Sequence, residues 1–421
     1  MAKPRLISGI DIGNSQIKVA IAKMEPARAR PDLLGIGSAP SNGLRRGMVV
    51  DMEETIGNIR SALQRAEAIS GIKVKRAYIA VSGLHIKNQT SRGVIAVSRA
   101  DNEISQSDID RVIQAASVVS LPANREIVHV IPRNFIVDGT ENVKNPLGMK
   151  GVRLEAEVCI IDGLSPYLRN IVKCVNENGI EVAGLVFAPL AASLSVLDKN
   201  QREYGVIHLD FGGGTSSLTV FEEADLLHAA ILPVGSKHIT SDLAVALRTS
   251  MDVAERVKLE HGSTSVNEDS PRFGSGGAGG RRRDMIDLSS LIGEEKFVLP
   301  KKQLVRVVDA RTQELLDLVS AELKKVSRNG MLPAGVVVSG GGANLPGLLP
   351  YIKDSLRLPV RLARPMHLEG MVDAAADPSF AVVTGLILWG VEQEMGSDRK
   401  ESIGSVSGAG KFMGWLKNFM P

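Results

Sequence analysis

Residues 9–21 of the chain read Gly-Ile-Asp-Ile-Gly-Asn-Ser-Gln-Ile-Lys-Val-Ala-Ile, and residues 207–221 read Ile-His-Leu-Asp-Phe-Gly-Gly-Gly-Thr-Ser-Ser-Leu-Thr-Val-Phe. Each stretch is an apolar run that ends in aspartate, followed by a glycine-containing turn with a hydroxyl side chain. The run after each turn has a period of two, which predicts a strand. The pattern therefore predicts two β-hairpins, far apart in the chain, that belong to two related halves and face one ligand.

The two turns have the composition of phosphate-binding loops. Glycine lets the backbone come close to a ligand, and consecutive N–H groups in such a turn form an anion-binding concavity. Ser15, Thr215 and Ser216 add hydroxyl donors. Asp11 and Asp210 are candidates to hold Mg²⁺ through its water molecules, because Mg²⁺ gives up water reluctantly. A Rossmann or P-loop turn would open a helix instead, and the sequence contains no G-x-x-x-x-G-K-[ST] motif.

A third glycine element supports a nucleotide as the ligand. Residues 336–344 read Val-Val-Val-Ser-Gly-Gly-Gly-Ala-Asn, a buried type of strand that runs into a glycine triplet. Three glycines here suit the close approach of a backbone to a base or a ribose. A single Asp-x-Gly turn is more often only a tight hairpin turn. Two copies together with the triplet favour a binding site over that interpretation.

Composition excludes several classes of protein. The 421 residues carry well-mixed charges with a net charge of +3, so no nucleic-acid partner is expected. Cys159 and Cys174 lie in apolar runs, which predicts buried reduced thiols rather than a disulfide or a metal site. No stretch of the sequence approaches the roughly 20 apolar residues that cross a bilayer.

Local patterns predict how the chain is organised. Block 85–163 mixes short strands with one helix, which suggests a small inserted α+β unit. Residues 273–283, rich in glycine and arginine, are expected to form a flexible surface loop, and residues 393–410 a flexible linker. Helices are predicted over Met52–Ser70, Ser105–Ser120, Ser165–Asn178 and Lys301–Ser327, and within residues 236–260.

The last eleven residues, 411–421, form the second strong signal. Apolar side chains recur there at the spacing i, i+3, i+4 and i+7, with lysines on the opposite face. A short helix of this composition is typical of a bilayer interface; the alternative is a tail that docks on the protein's own core. Because so short a helix is marginal in water, tight binding needs several tails on one assembly. The residues expected at the membrane are Phe412, Met413, Trp415, Leu416, Phe419 and Met420, flanked by Lys411 and Lys417.

With these motifs in view, the whole chain resembles the FtsA family of bacterial cell-division proteins, within the actin, Hsp70 and sugar-kinase ATPase superfamily. The resemblance rests on the two hairpins and the glycine triplet, and on more specific stretches. These are Gly43–Gly47, Ile131–Asp138, Pro146–Leu154, Val234–Ala244 and the amphipathic tail.

The resemblance implies an α/β fold: a duplicated, ribonuclease H-like, actin-like ATPase with an inserted small subdomain and a C-terminal amphipathic helix. The implied subdomains are 1A (1–84 and 164–200), an inserted SHS2-like 1C (85–163), 2A (201–228 and 305–392) and 2B (229–304). The linker 393–410 and the membrane-targeting helix 411–421 follow.

The resemblance also implies ATP with Mg²⁺ between the halves. Glu255 and Lys258 would approach the ribose and adenine, and Gly340, Gly341 and Gly342 would lie under the nucleoside. The general base for hydrolysis stays open between Asp210 and a polar group of a neighbouring subunit, so weak ATPase activity at most is expected. The residues implied at the phosphates are Asp11, Gly13, Asn14, Ser15 and Lys18 on one side, and Asp210, Gly212, Gly213, Gly214 and Thr215 on the other.

The implied function is that of an actin-like protein that self-assembles into filaments. It would tether the tubulin-like division protein FtsZ to the cytoplasmic face of the inner membrane at the septum and recruit later division proteins. Two alternatives remain at this point: a small-molecule kinase of the same superfold, and an actin-like adaptor of pilus assembly. Neither alternative explains the amphipathic tail.

Overall fold

The computed structural model describes residues 4–26, 28–265, 285–292, 297–326 and 332–401. The glycine- and arginine-rich stretch 273–283 and the tail 411–421 lie outside the described residues. Among the described residues, no helix is both long and apolar enough to cross a membrane.

The strands of the described residues are β1 (Arg5–Ile12), β2 (Gln16–Met24), β3 (Asp32–Pro40), β4 (Leu44–Arg45), β5 (Met48–Val49), β6 (Arg76–Val81), β7 (Lys87–Ala96), β8 (Arg125–Val137), β9 (Thr140–Val143), β10 (Arg153–Leu164), β11 (Glu181–Phe187), β12 (Val206–Phe211), β13 (Ser216–Glu222), β14 (Asp225–Leu232), β15 (Met285–Asp287), β16 (Val298–Pro300), β17 (Val336–Ser339), β18 (Val360–Leu362) and β19 (Glu369–Gly370).

Helices connect and cover these strands. The α-helices are Met52–Ser70, Gln106–Ser117, Ser165–Asn176, Ala188–Val196, Lys199–Tyr204, Ser236–Leu247, Met251–His261, Ser289–Ile292, Lys301–Lys325, Leu348–Leu356 and Ala381–Glu401, and the 3₁₀ turns are Gly341–Asn344, Val372–Ala375 and Pro378–Phe380.

Two mixed sheets of similar design carry the two hairpins. In the first, of order β11-β6-β1-β2-β3-β19, β1 is antiparallel to β2 and parallel to β6. In the second, of order β14-β13-β12-β17-β18, β12 is antiparallel to β13 and parallel to β17. Each predicted hairpin is therefore the centre of its own sheet, and the duplicated α/β architecture is confirmed.

The helix Met52–Ser70 shows how the sequence sets these elements. The carboxylate of Asp51 accepts the N–H of Glu54 and caps the start, and Gly71 ends the helix at φ 68°. Gly37 on β3 lets the helix pack close, because a Cβ atom there would lie 2.2 Å from the carbonyl oxygen of Ala62. This helix has the bounds that the sequence predicts.

A third sheet, of order β7-β10-β8-β9, is made from residues of the predicted insertion 85–163, apart from Leu164 at the end of β10. Phe135, Val158 and Ile160 on one face pack with the helix Gln106–Ser117 in a separate core. Ile131 and Cys159, from β8 and β10, belong instead to the large core that includes the first sheet. The central strand β10 is thus buried on both faces, and Cys159 and Cys174 are both buried free thiols, as the sequence predicts.

The helix Ala188–Val196 lies between the two large sheets, and every residue in it is buried. It packs against the last helix, Ala381–Glu401, and contacts strands of both sheets. The two halves are therefore joined through one apolar helix that a simple amphipathic pattern does not reveal.

Three predicted boundaries are wrong. Residues up to 392 are predicted to belong to the second half, whereas the last helix, with Val383, Leu386 and Trp389, packs against strands β1, β2 and β6 of the first sheet. A boundary at 228/229 cuts through β14, which pairs with β13 on both sides of that point. The predicted linker begins at 393, yet the last helix continues to Glu401.

Candidate functional site

The turns of the two hairpins lie against each other. A Cβ atom on Gly213 would come within 1.9 Å of the hydroxyl oxygen of Ser15, and one on Gly214 within 2.7 Å of Cγ of Asn14. Only glycine leaves room for this approach. The turns that the sequence predicts to face one ligand are therefore brought together across the boundary between the halves.

Beside these turns lies an open cleft of about 890 Å³. The structure brings every predicted nucleotide-site residue to this cleft except Gly214, which packs against Asn14 instead. The predicted residues that line it are Asp11, Gly13, Asn14, Ser15, Lys18, Asp210, Gly212, Gly213, Thr215, Glu255, Lys258, Gly340, Gly341 and Gly342.

Three charged groups meet at the floor of the cleft. Asp11 and Asp210 are the penultimate residues of the equivalent strands β1 and β12, and Lys18 pairs with Asp11 in the β1–β2 register. Burial raises the pKa of Asp11 to about 6 against the opposing effect of Lys18, and nearby Asp210 raises it further. Burial also raises the pKa of Asp210 and lowers that of Lys18. The site thus holds two desolvated carboxylates, which a cation would stabilise.

Lys18 contacts a segment that sequence reasoning missed. Its ammonium donates to the carbonyl oxygen of Ser379 at 2.6 Å and lies 5.0 Å from the ring centroid of Phe380. Asp377, in the same segment, accepts from the side chain of Asn344 at 2.9 Å. Asn344, Asp377, Ser379 and Phe380 all line the cleft. The only local signal was Asp-Pro ahead of an apolar run, which is typical of a helix start.

The glycine triplet follows β17 and turns into a 3₁₀ turn. Gly340 has φ 85°, a conformation that favours glycine, and a Cβ atom on Gly342 would overlap the ring of Phe211 at 2.5 Å. Gly341 is different, because its Cβ atom would meet only Ser379 at 4.0 Å. Two of the three glycines are therefore required by packing, and the third is a free backbone surface on the cleft.

Glu255 and Lys258 lie on the helix Met251–His261 and form an ion pair at 2.7 Å. The ammonium of Lys258 is buried and also donates to the hydroxyl oxygen of Thr240 at 2.9 Å. Thr240 in turn contacts the carboxylate of Glu255. This triad forms one wall of the cleft, so the pair is not an ordinary surface ion pair.

Two further contacts to Asn14 were not foreseen. The ammonium of Lys237 donates to the carbonyl oxygen of Asn14 at 2.8 Å, across the cleft. The N–H of Gly47, in the β4–β5 turn, donates to the side-chain oxygen of Asn14 at 2.9 Å. Lys237 and Gly47 therefore hold the first turn from both sides. No local sequence pattern predicts either contact, since both join segments that are distant in the chain.

Comparisons with known proteins agree with this architecture. The family model described as "SHS2 domain inserted in FTSA" matches residues 83–162, and the model "Cell division protein FtsA" matches residues 207–385. "Cell division protein FtsA" of Bacillus subtilis (strain 168) is 36% identical over 388 residues, which cover 92% of this chain and 84% of that protein.

Two solved structures share the fold at low sequence identity. The "PilM-PilN type IV pilus biogenesis complex" aligns with a TM-score of 0.62 and 18% identity, covering 91% of this chain and 98% of the other. "MreB5 of Spiroplasma citri bound to ADP" aligns with a TM-score of 0.52 and 14% identity, covering 95% and 99%. The paired hairpins, the central cleft and these neighbours define a protein of the actin-like ATPase fold. Within that class, the sequence matches are decisive, and the chain belongs to the FtsA family of cell division proteins.

Proposed function

We propose that the protein binds ATP with Mg²⁺ in the cleft between its two hairpins. The observation that carries this proposal is the contact of Ser15 with Gly213, which places two glycine turns and two buried carboxylates around one space. Turn N–H groups and Lys18 suit the negative charge of phosphates. Gly340, Gly341 and Gly342 offer backbone to the nucleoside, and Glu255 and Lys258 suit its ribose and base.

The donor set fits a hydrated Mg²⁺. Asp11 and Asp210 are desolvated carboxylates at the cleft floor, and Mg²⁺ usually binds one or two carboxylates while keeping several waters. When bound, the cation would neutralise charge on the phosphates. Asp210 is the candidate general base for a weak hydrolysis step, because burial raises its pKa and so makes it a better proton acceptor.

We further propose that the chain acts as a peripheral membrane protein of cell division. The amphipathic tail 411–421 would bind the cytoplasmic face of the membrane at the septum, and the protein would self-assemble, tether FtsZ and recruit later division proteins. Family membership and the composition of the tail support this proposal. The subdomain assignment, with the corrected place of the last helix, belongs to the same proposal.

One experiment tests the proposal in separate steps. The full-length protein is sedimented with vesicles of anionic lipid, first alone, then with ATP and Mg²⁺, then with purified FtsZ. We expect lipid binding in the first step, a larger pelleted assembly in the second and recruitment of FtsZ in the third. Protein that stays in the supernatant in all three steps would contradict the proposal. Transfer of phosphate to a sugar or polyol would instead support a kinase.

A further inference from the structure

A buried chain of hydrogen bonds leads away from Asp210 into the core. The hydroxyl of Ser339 donates to Oδ1 of Asp210 at 2.7 Å. The hydroxyl oxygen of Ser339 also lies 2.8 Å from Nε2 of His208. On its other side, Nδ1 of His208 lies 3.1 Å from the hydroxyl oxygen of Ser193, which lies 2.9 Å from that of Thr219. His208, Ser339, Ser193 and Thr219 are all buried.

The proton count fixes the direction of this chain. Ser339 has a single hydroxyl proton, which it donates to the carboxylate of Asp210, so it must accept from Nε2 of His208. Nδ1 of His208 faces the hydroxyl of Ser193, which also donates to the carbonyl oxygen of Pro189 at 2.7 Å. From His208 through Ser339, donation therefore runs in one direction and ends on the carboxylate at the cleft.

Ordinary core packing does not account for a histidine at this position. Ile207 and Leu209 flank it on β12 and lie in the apolar core of the second half. An apolar residue at 208 would avoid the cost of burying a polar ring, but it would leave Ser339 and Ser193 without the partner that joins them. The imidazole supplies the N–H donor that the hydroxyl oxygen of Ser339 requires.

We propose that His208 and Ser339 are positioning residues that hold the carboxylate of Asp210 in the orientation needed to bind a magnesium–nucleotide complex. The inference rests on the proposed nucleotide site. Hydrogen-bond donation to one carboxylate oxygen restricts rotation of the side chain, and charge-assisted bonds of this kind are stronger than neutral ones. Because Ser193 belongs to the helix Ala188–Val196, the chain also ties this carboxylate to the helix between the halves.

The test measures ATP affinity by titration calorimetry in Mg²⁺ and in EDTA, for wild type, H208L, H208Q and S339A. We expect wild type to bind ATP more tightly in Mg²⁺ than in EDTA, and we call the ratio of these two affinities the gain. In S339A and H208L this gain should fall roughly tenfold, as expected for the loss of one charge-assisted hydrogen bond. H208Q should recover part of the gain, because a carboxamide can donate to Ser339. The variant T312V removes a buried hydroxyl that bonds only within its own helix and should keep the full gain.

A double-mutant cycle distinguishes positioning from general stability. In a D210N background, H208L and S339A should cause little further loss, since both act through the carboxylate that D210N removes. The inference would be overturned, while the nucleotide site stands, by either of two results. One is a double variant whose loss of ATP affinity equals the sum of the losses in the single variants, and the other is an unchanged Mg²⁺-dependent gain in both H208L and S339A. No gain from Mg²⁺ in wild type would overturn the proposed site and this inference with it. If H208L does not fold, S339A decides the question.

Discussion

The ammonium of Lys18 donates to the carbonyl oxygen of Ser379 at 2.6 Å, so a side chain of the first hairpin holds the segment that begins the last helix. Lys18 is only 7% exposed, and it lies near Asp11, Asp210 and Asp377. This single cation therefore connects the cleft floor, the two carboxylates and the helix that precedes the tail.

Replacing Lys18 by methionine should weaken ATP binding roughly tenfold to a hundredfold, because the cleft loses its buried cation beside two carboxylates. The control is K23M, the same substitution on the same strand at a partly exposed lysine that pairs with Glu25. Titration calorimetry should show wild-type affinity for K23M. Equal affinities for both variants would mean that Lys18 does not face the phosphates.

The contact between the inserted subdomain and β14 should depend on pH. Lys144 pairs with Asp225 at 2.6 Å, yet burial outweighs this lysine and raises the pKa of Asp225 to about 6, from the ordinary 3.8. Between these values the folded state holds a proton that the unfolded state has released. Stability from this group is therefore fully present below about pH 4 and is lost as pH rises through about 6.

The variant D225N removes this titration. Chemical denaturation across pH 3.5 to 7, roughly the window of the shift, should show wild type losing stability relative to D225N as the pH rises. The full shift corresponds to a loss on the order of 3 kcal/mol. The control E223Q removes a neighbouring exposed carboxylate beside the same lysine. A difference between wild type and D225N that stays constant across the range would contradict this prediction.

The tail offers a matched pair of charge substitutions. W415E places a carboxylate on the predicted apolar face and N418E places it on the polar face, with the same change in net charge. Since burial of one large apolar side chain contributes roughly 1.5–3 kcal/mol, W415E should release the protein from anionic vesicles and N418E should release much less. Equal release of the two variants in co-sedimentation would show that charge alone, not an apolar face, holds the tail.

Local sequence predicted the parts of the fold that local forces determine. The period of two after each turn identified both hairpins, and an aspartate cap with a terminal glycine set the helix Met52–Ser70. The glycines at 213, 340 and 342 were informative because the close approach of neighbouring atoms leaves no room for a Cβ atom there.

Contacts between distant segments were not predictable in the same way. Lys237 reaches Asn14, and Lys18 reaches Ser379, only after the two halves have come together. The last helix was assigned to the wrong half because its apolar face gives no information about which core it enters. The Ser339–His208 chain was also missed, since its members are scattered along the chain and each resembles an ordinary core residue.

The glycines of the cleft allow the most direct test of the central claim that both turns close on one triphosphate. In G213A the new methyl group would overlap the hydroxyl of Ser15, whereas in G57A, on the helix Met52–Ser70 away from the cleft, it meets nothing within 4 Å. Titration calorimetry with ATP and Mg²⁺ should show a loss of about tenfold or more for G213A and wild-type affinity for G57A, at similar melting temperatures. Wild-type affinity in G213A would contradict the claim.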